Sequence, residues 1–220
     1  MELALDRRAY LVALGSAALA GCLGGGSGGD GSGSTPAGGS GGTRGTDSGS
    51  TLPPPVQGDP ESSVTVMVFE DFSCPHCAHY EAEILPKIES SYVEPGKIRY
   101  EHRDFPIPVS PQWSWPVASA AREVQVAAGD AAFFAFARAC FSNQSDYSLD
   151  LLGSLAEKQG VDAARVRTAA KEQTHRSTVE GDRQFGESLG LQGTPQVYVN
   201  RKRLDTYDFE TVSTAIDSAK

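Results

Sequence analysis

Two cysteines two residues apart, Cys74 and Cys77, sit in the stretch FEDFSCPHCAHY, residues 69–80, with His76 between them and His79 just after. Such a pair can exchange electrons with other thiols, clamp a metal, or close as a structural disulfide. Zinc sites draw a second ligand pair from a distant segment, and the chain has no second CxxC and no HxxxH; His102 and His175 stand alone, so no metal is expected. A disulfide across two residues closes too small a loop to gain much chain entropy, which makes it a poor staple. Redox exchange is therefore the stronger reading, with the other two left open.

Redox chemistry needs one sulfur held as thiolate, and the flanking sequence supplies a way. Residues 63–69, SVTVMVF, are apolar or β-branched at nearly every position, as in a strand buried on both faces. From Pro75 the pattern turns helical, with Cys77, Tyr80, Ile84, Leu85 and Ile88 on one face and Pro86 predicted to kink it. Pro75 suits the first helical position because its missing N–H would have no partner there. Cys74 then faces unpaired N–H groups and the positive end of the helix dipole, which lowers such thiols from about 8.5 toward about 3.5–7. Cys74 is thus the expected attacking sulfur, Cys77 the shielded resolving partner, and His76 a positive neighbour of the thiolate that tilts the pair toward oxidant.

The rest of the chain supplies a frame. Residues 97–105 alternate as a second strand, residues 113–190 are mostly helical, QVYVN and RKRLD read as a hairpin turning at Asn200, and residues 208–220 form a closing helix. Asp130 is the expected N-cap after Gly129, and Gly181 the expected interruption in the helical run 162–190. Strand, helix, strand, several helices, two strands and helix make an α/β sheet with a helical insertion between its βαβ and ββα halves. Cys140 falls on an apolar helix face with Phe133, Phe136 and Phe141 and reads as a small core residue; Trp113 and Trp115 read as a cap on the core where the helical insertion begins, with a border of the redox site that contacts substrate as the alternative. Glu70 and Asp71 read equally as solvated strand-end charges or as proton carriers.

The first quarter of the 220 residues cannot add to that core. Residues 1–22 pair Arg7 and Arg8 with an apolar run too short to span a membrane comfortably, and residues 23–58 are a Gly/Ser-rich tether, leaving 59–220 as the folded domain. The net charge of −9 makes nucleic acid an unlikely partner. Only 6 of 19 basic residues are lysine, a balance that resembles secreted proteins of salt-loving archaea.

CPHC after a buried strand resembles the active-site tetrapeptide of the DsbA branch of the thioredoxin superfamily, and the similarity runs through YEHRDFPIPV and GTPQVYVN. The resemblance implies a thioredoxin fold, an exchangeable Cys74–Cys77 disulfide with no other cofactor, and a cis-proline loop in which Thr194 and Pro195 meet an extended substrate peptide. Where that superfamily commonly carries a buried acid, six positions before the first cysteine, this chain has Val68; Asp71 fits the lipoprotein-type branch. LAGC, ending at Cys22, resembles a lipobox, and DRRAYL a twin-arginine signal. Together these imply an exported protein, lipid-anchored on the outer face of the cell membrane, that oxidises extracytoplasmic protein thiols and is recycled by a membrane redox partner. The alternatives are a disulfide reductase or isomerase, or a tethered peptide-binding module without turnover.

Overall fold

The computed structural model describes residues 51–107 and 112–220. Cys22, the leader and the tether as far as residue 50 lie outside the described residues. The tether nevertheless ends earlier than expected: Val56–Gly58 is a strand, β1, antiparallel to β3 (Arg99–Asp104). The segment before it is strapped down, with Leu52 N–H donating to Thr178 Oγ1 at 3.1 Å and Arg122 to the Pro53 carbonyl at 3.3 Å. A Gly/Ser count misses this because backbone groups bonded to distant side chains help make the attachment.

The sheet runs β1–β3–β2–β4–β5, with β2 (Thr65–Glu70) at its centre, parallel to β3 and antiparallel to β4 (Gln196–Val199). A central strand is covered on both faces, which is why β2 reads as a nearly continuous apolar run. Val66, Val68 and Tyr100 join the main core beneath the helices. Met67, Phe69, Phe105, Leu191 and Tyr198 form a smaller core on the other face. At the β4–β5 turn Asn200 and Arg201 both take positive φ, 46° and 67°, the requirement of the two-residue hairpin that leads into β5 (Lys202–Arg203).

The helix after β2 starts as α1 (Pro75–His79), widens to π geometry over Tyr80–Ile84, tightens into α2 (Leu85–Ile88) and widens again over Glu89–Val93. Pro86 cannot donate an N–H, and the π turn just before it absorbs the defect where a simple kink was expected. Among the described residues five α-helices lie between β3 and β4: α3 (Ser114–Ala128), α4 (Asp130–Phe141), α5 (Leu149–Glu157), α6 (Ala163–Glu172) and α7 (Arg176–Ser188). The final helix is α8 (Phe209–Asp217).

Two expectations fail here for local reasons. The break between α6 and α7 falls at left-handed Gln173, while Gly181 stays inside α7. Asp130 is the first residue of α4, and its carboxylate caps other groups, accepting from Val56 N–H at 3.0 Å and Gln125 Nε2 at 2.9 Å. Cys140 is buried in the main core, and Trp113 and Trp115 pack against it, as a capping role requires.

A buried ion network ties the helices to the sheet. Arg122 on α3 is wholly buried and bonds Asp104 at 2.6 Å and Asp182 at 2.5 Å. His102, the register partner of Val68, lies 3.3 Å from both Asp104 and Glu70.

Candidate active site

Cys74 is the N-cap of α1, with extended backbone (φ −83°, ψ 122°) that turns the chain from strand to helix. Its carbonyl accepts the Cys77 and Ala78 N–H groups, each at 3.1 Å, closing the first turn around the sulfur. Both cysteines are reduced thiols here, Cys74 only 3% exposed and Cys77 fully buried. The Thr194–Pro195 bond is cis, and the Thr194 carbonyl accepts from Cys74 Sγ at 3.4 Å. Residues 120 positions apart in sequence thus meet at one sulfur.

The two thiols are driven apart electrostatically. Cys74 falls from 9.0 to about 5, chiefly because the Cys77 thiol donates to it, with the Thr194 side chain and the Cys77 and His76 backbone N–H groups adding to the effect against burial. Burial pushes Cys77 well up, and the same hydrogen bond and the Glu70 and Cys74 charges push it further. A good leaving and attacking sulfur beside a proton-retaining one is the asymmetry that thiol–disulfide exchange requires.

His76 reaches Cys74 through its main-chain N–H, while its exposed ring has Nδ1 3.5 Å from the Tyr207 hydroxyl.

Neither acidic neighbour is a solvated strand-end charge: Glu70 and Asp71 are each 1% exposed. Asp71 accepts from Ser73 N–H at 2.7 Å, Ile107 N–H at 2.8 Å and Ser114 Oγ at 2.9 Å, yet burial still lifts it to about 6. It clamps the loop before Cys74 to the one after β3. From the insertion, Gln144 Nε2 donates to the Phe72 and Cys74 carbonyls at 2.8 and 3.0 Å, and Tyr147 donates to Phe72 at 2.9 Å. Sequence reasoning missed Gln144, Tyr147 and Tyr207, since contacts across 70 or more residues leave no spacing signal. Among the described residues no group of three or more His, Cys, Asp or Glu is placed to hold a metal ion.

The family model described as Thioredoxin matches residues 50–218, and the chain belongs to that family. The chain is 27% identical over 170 residues to disulfide bond formation protein D of Bacillus subtilis, covering 74% of this chain and 75% of that one. It is 25% identical over 171 residues to a putative protein-disulfide oxidoreductase of Rickettsia bellii, covering 74% of this chain and 63% of that one. Among solved structures, oxidised BdbD of Bacillus subtilis superposes with a TM-score of 0.70 at 26% identity, over 76% of this chain and 92% of that one. DsbA of Chlamydia trachomatis, at 18% identity and a TM-score of 0.68 over 78% and 93% of the two chains, shares the fold. The mixed sheet with a helical insertion is the DsbA-like form of the thioredoxin fold.

Proposed function

We propose that this protein thiol-disulfide oxidoreductase works as a disulfide donor to protein thiols through Cys74 and Cys77. The observation that carries the reading is the opposed acidity of the two buried sulfurs, Cys74 lowered to about 5 and Cys77 raised, at a helix start against a cis-proline loop. Stabilising the Cys74 thiolate stabilises the reduced protein and so makes its disulfide more oxidising. A substrate thiolate attacks Cys74 of the disulfide, Cys77 leaves, and a second substrate thiolate releases the mixed disulfide. The backbone at Thr194 and Pro195, beside Cys74 Sγ, is the proposed docking edge for an extended substrate peptide.

The proposal extends to place. The apolar leader ending at Cys22 supports export and lipid anchoring on the outer face of the cell membrane, with a membrane redox partner restoring the disulfide. Among the described residues no helix is long and apolar enough to cross a membrane. The similarity to a disulfide bond formation protein supports the oxidising direction.

Equilibration with glutathione buffers tests it. A potential near about −120 mV supports a disulfide donor, and one near about −270 mV would recast the protein as a reductant. A Cys74→Ala variant that still oxidised reduced substrate protein would refute the role given to Cys74.

A further inference from the structure

If the redox reading above holds, the sulfur that reacts is Cys74, and the backbone carrying it is held from the helical insertion. Gln144 opens a 3-10 turn, Gln144–Asp146, between α4 and α5. The turn is pinned to α4: Asn143 Nδ2 donates to the Ala139 carbonyl at 2.8 Å, Asn143 N–H to the Cys140 carbonyl at 2.9 Å and Asp146 N–H to the Asn143 carbonyl at 3.0 Å. From this turn a single nitrogen, Gln144 Nε2, reaches the Phe72 carbonyl at 2.8 Å and the Cys74 carbonyl at 3.0 Å, so each hydrogen of the amide has its own oxygen.

Neither oxygen needs this donor. The Phe72 carbonyl also accepts from the Tyr147 hydroxyl at 2.9 Å, and the Cys74 carbonyl accepts the Cys77 and Ala78 N–H groups, each at 3.1 Å. Satisfying buried polar groups therefore does not account for the contact. What Gln144 adds is geometry: one atom bonded to carbonyls on both sides of Ser73 fixes the backbone between them. Phe72 is already anchored, its buried ring stacked on Phe141 of α4 with centroids 4.8 Å apart, so the tie carries the position of the insertion to Cys74. Cys74 must stay extended (φ −83°, ψ 122°) while Pro75 begins the helix. Its ψ sets where the following N–H groups point, and those of His76 and Cys77 bond its sulfur.

We propose that Gln144 is a positioning residue for the redox pair: by holding the Phe72 and Cys74 carbonyls together it keeps the His76 and Cys77 N–H groups aimed at the Cys74 sulfur, and through it the helical insertion sets how oxidising the disulfide is. These N–H groups favour the ionised sulfur, the form in which Cys74 leaves a mixed disulfide when a second substrate thiolate displaces it. Losing their alignment weakens the acid, destabilises the reduced protein and makes the disulfide a poorer oxidant. Among the described residues the titratable groups facing this sulfur are Cys77 on α1 and Asp71 on the loop before it, and His76 Nδ1 lies 3.5 Å from the Tyr207 hydroxyl. Gln144 is uncharged, so a neutral replacement leaves the charges of these groups in place.

The test is Gln144→Met in the full chain, a side chain of similar length with no hydrogen to donate. A hydrogen bond to a charged group accounts for about tenfold or more in an equilibrium constant, so Cys74 should become about tenfold weaker as an acid by thiolate absorbance. At pH 7 the equilibrium with glutathione should shift about tenfold toward the less oxidising side, about 30 mV for this two-electron couple. In urea unfolding at that pH the folding constant of the reduced variant should fall about tenfold more than that of the oxidised one. A merely structural role would weaken both forms alike; acidity and potential within about twofold of wild type, or a shift toward a stronger oxidant, overturns the proposal. Should Gln144→Met fail to fold, Gln144→Asn, whose amide is one methylene shorter, must show the same loss of acidity, and wild-type values there overturn the proposal. Wild-type protein whose Cys74 and Cys77 do not exchange with glutathione would instead refute the redox reading itself.

Discussion

The thiolate at Cys74 makes the stability gap between the reduced and oxidised protein depend on pH, in a direction the structure sets. Cys74 drops from 9.0 when unfolded to about 5 when folded. An acid whose folded value is depressed adds stability that is complete above the unfolded value and is lost as pH falls through the folded one. For these two values the contribution to the reduced protein is about 4 kcal/mol at pH 8 and about 0.4 kcal/mol at pH 5, at about 1.4 kcal/mol per unit. Solvent screening at the sulfur's outer edge reduces the change to about 2–4 kcal/mol. The oxidised protein has no thiol at Cys74 and lacks this dependence. Its disulfide closes a loop of only four residues, worth about 2 kcal/mol of chain entropy by loop-closure arithmetic and insensitive to pH. Urea unfolding of both forms should therefore show the oxidised protein ahead at pH 5 and the reduced protein gaining about 2–4 kcal/mol on it by pH 8. A gap constant between those pH values, or one that moves the other way, would refute the assignment of Cys74 as the acidic thiol. Direct titration of thiolate absorbance in the reduced protein should give a midpoint near 5.

Cys77→Ser should still attack substrates through Cys74 but accumulate mixed disulfides, visible by mass spectrometry; rapid turnover without them would dissociate Cys77 from resolution. Arg122→Met takes from Asp104 and Asp182 their shared partner, leaving them with His102 and Arg103, and loss of one partner from a buried ion network should cost about 3–5 kcal/mol in denaturant unfolding. Gly186→Ala places a Cβ 2.7 Å from the Phe105 ring and 3.1 Å from Phe69. Overpacking there should destabilise by about 1–3 kcal/mol, outweighing the alanine's gain of up to about 1 kcal/mol in helix propensity, and a more stable variant in the same assay would show that the rings can yield.

Local chemistry was open to reading in one dimension. The apolar run of β2, the N-terminal proline of α1, the CxxC spacing and the Asn200 turn each carry their meaning within a few residues, because burial, helix capping and hairpin geometry are short-range constraints. From these the sequence alone determined an α/β sheet with a helical insertion and singled out Cys74 and Cys77. The end of the tether was not legible, since residues 51–58 hold on through backbone hydrogen bonds that composition does not encode. Gly181 looked like a helix break because glycine has a poor propensity, yet α7 runs through it unbroken.

Tertiary structure decided everything that depends on what a charge faces. Glu70 and Asp71 are adjacent in sequence, and alternation along the chain sends one toward His102 and Glu81 and the other into the N–H groups of Ser73 and Ile107. The Thr194 carbonyl reaches Cys74, and Gln144 grips the redox loop, only because the sheet order and the insertion fold these distant segments onto one end of β2. Spacing places two thiols within reach of each other; the surrounding fold sets which one holds its proton, because acidity follows burial and neighbouring charge in three dimensions.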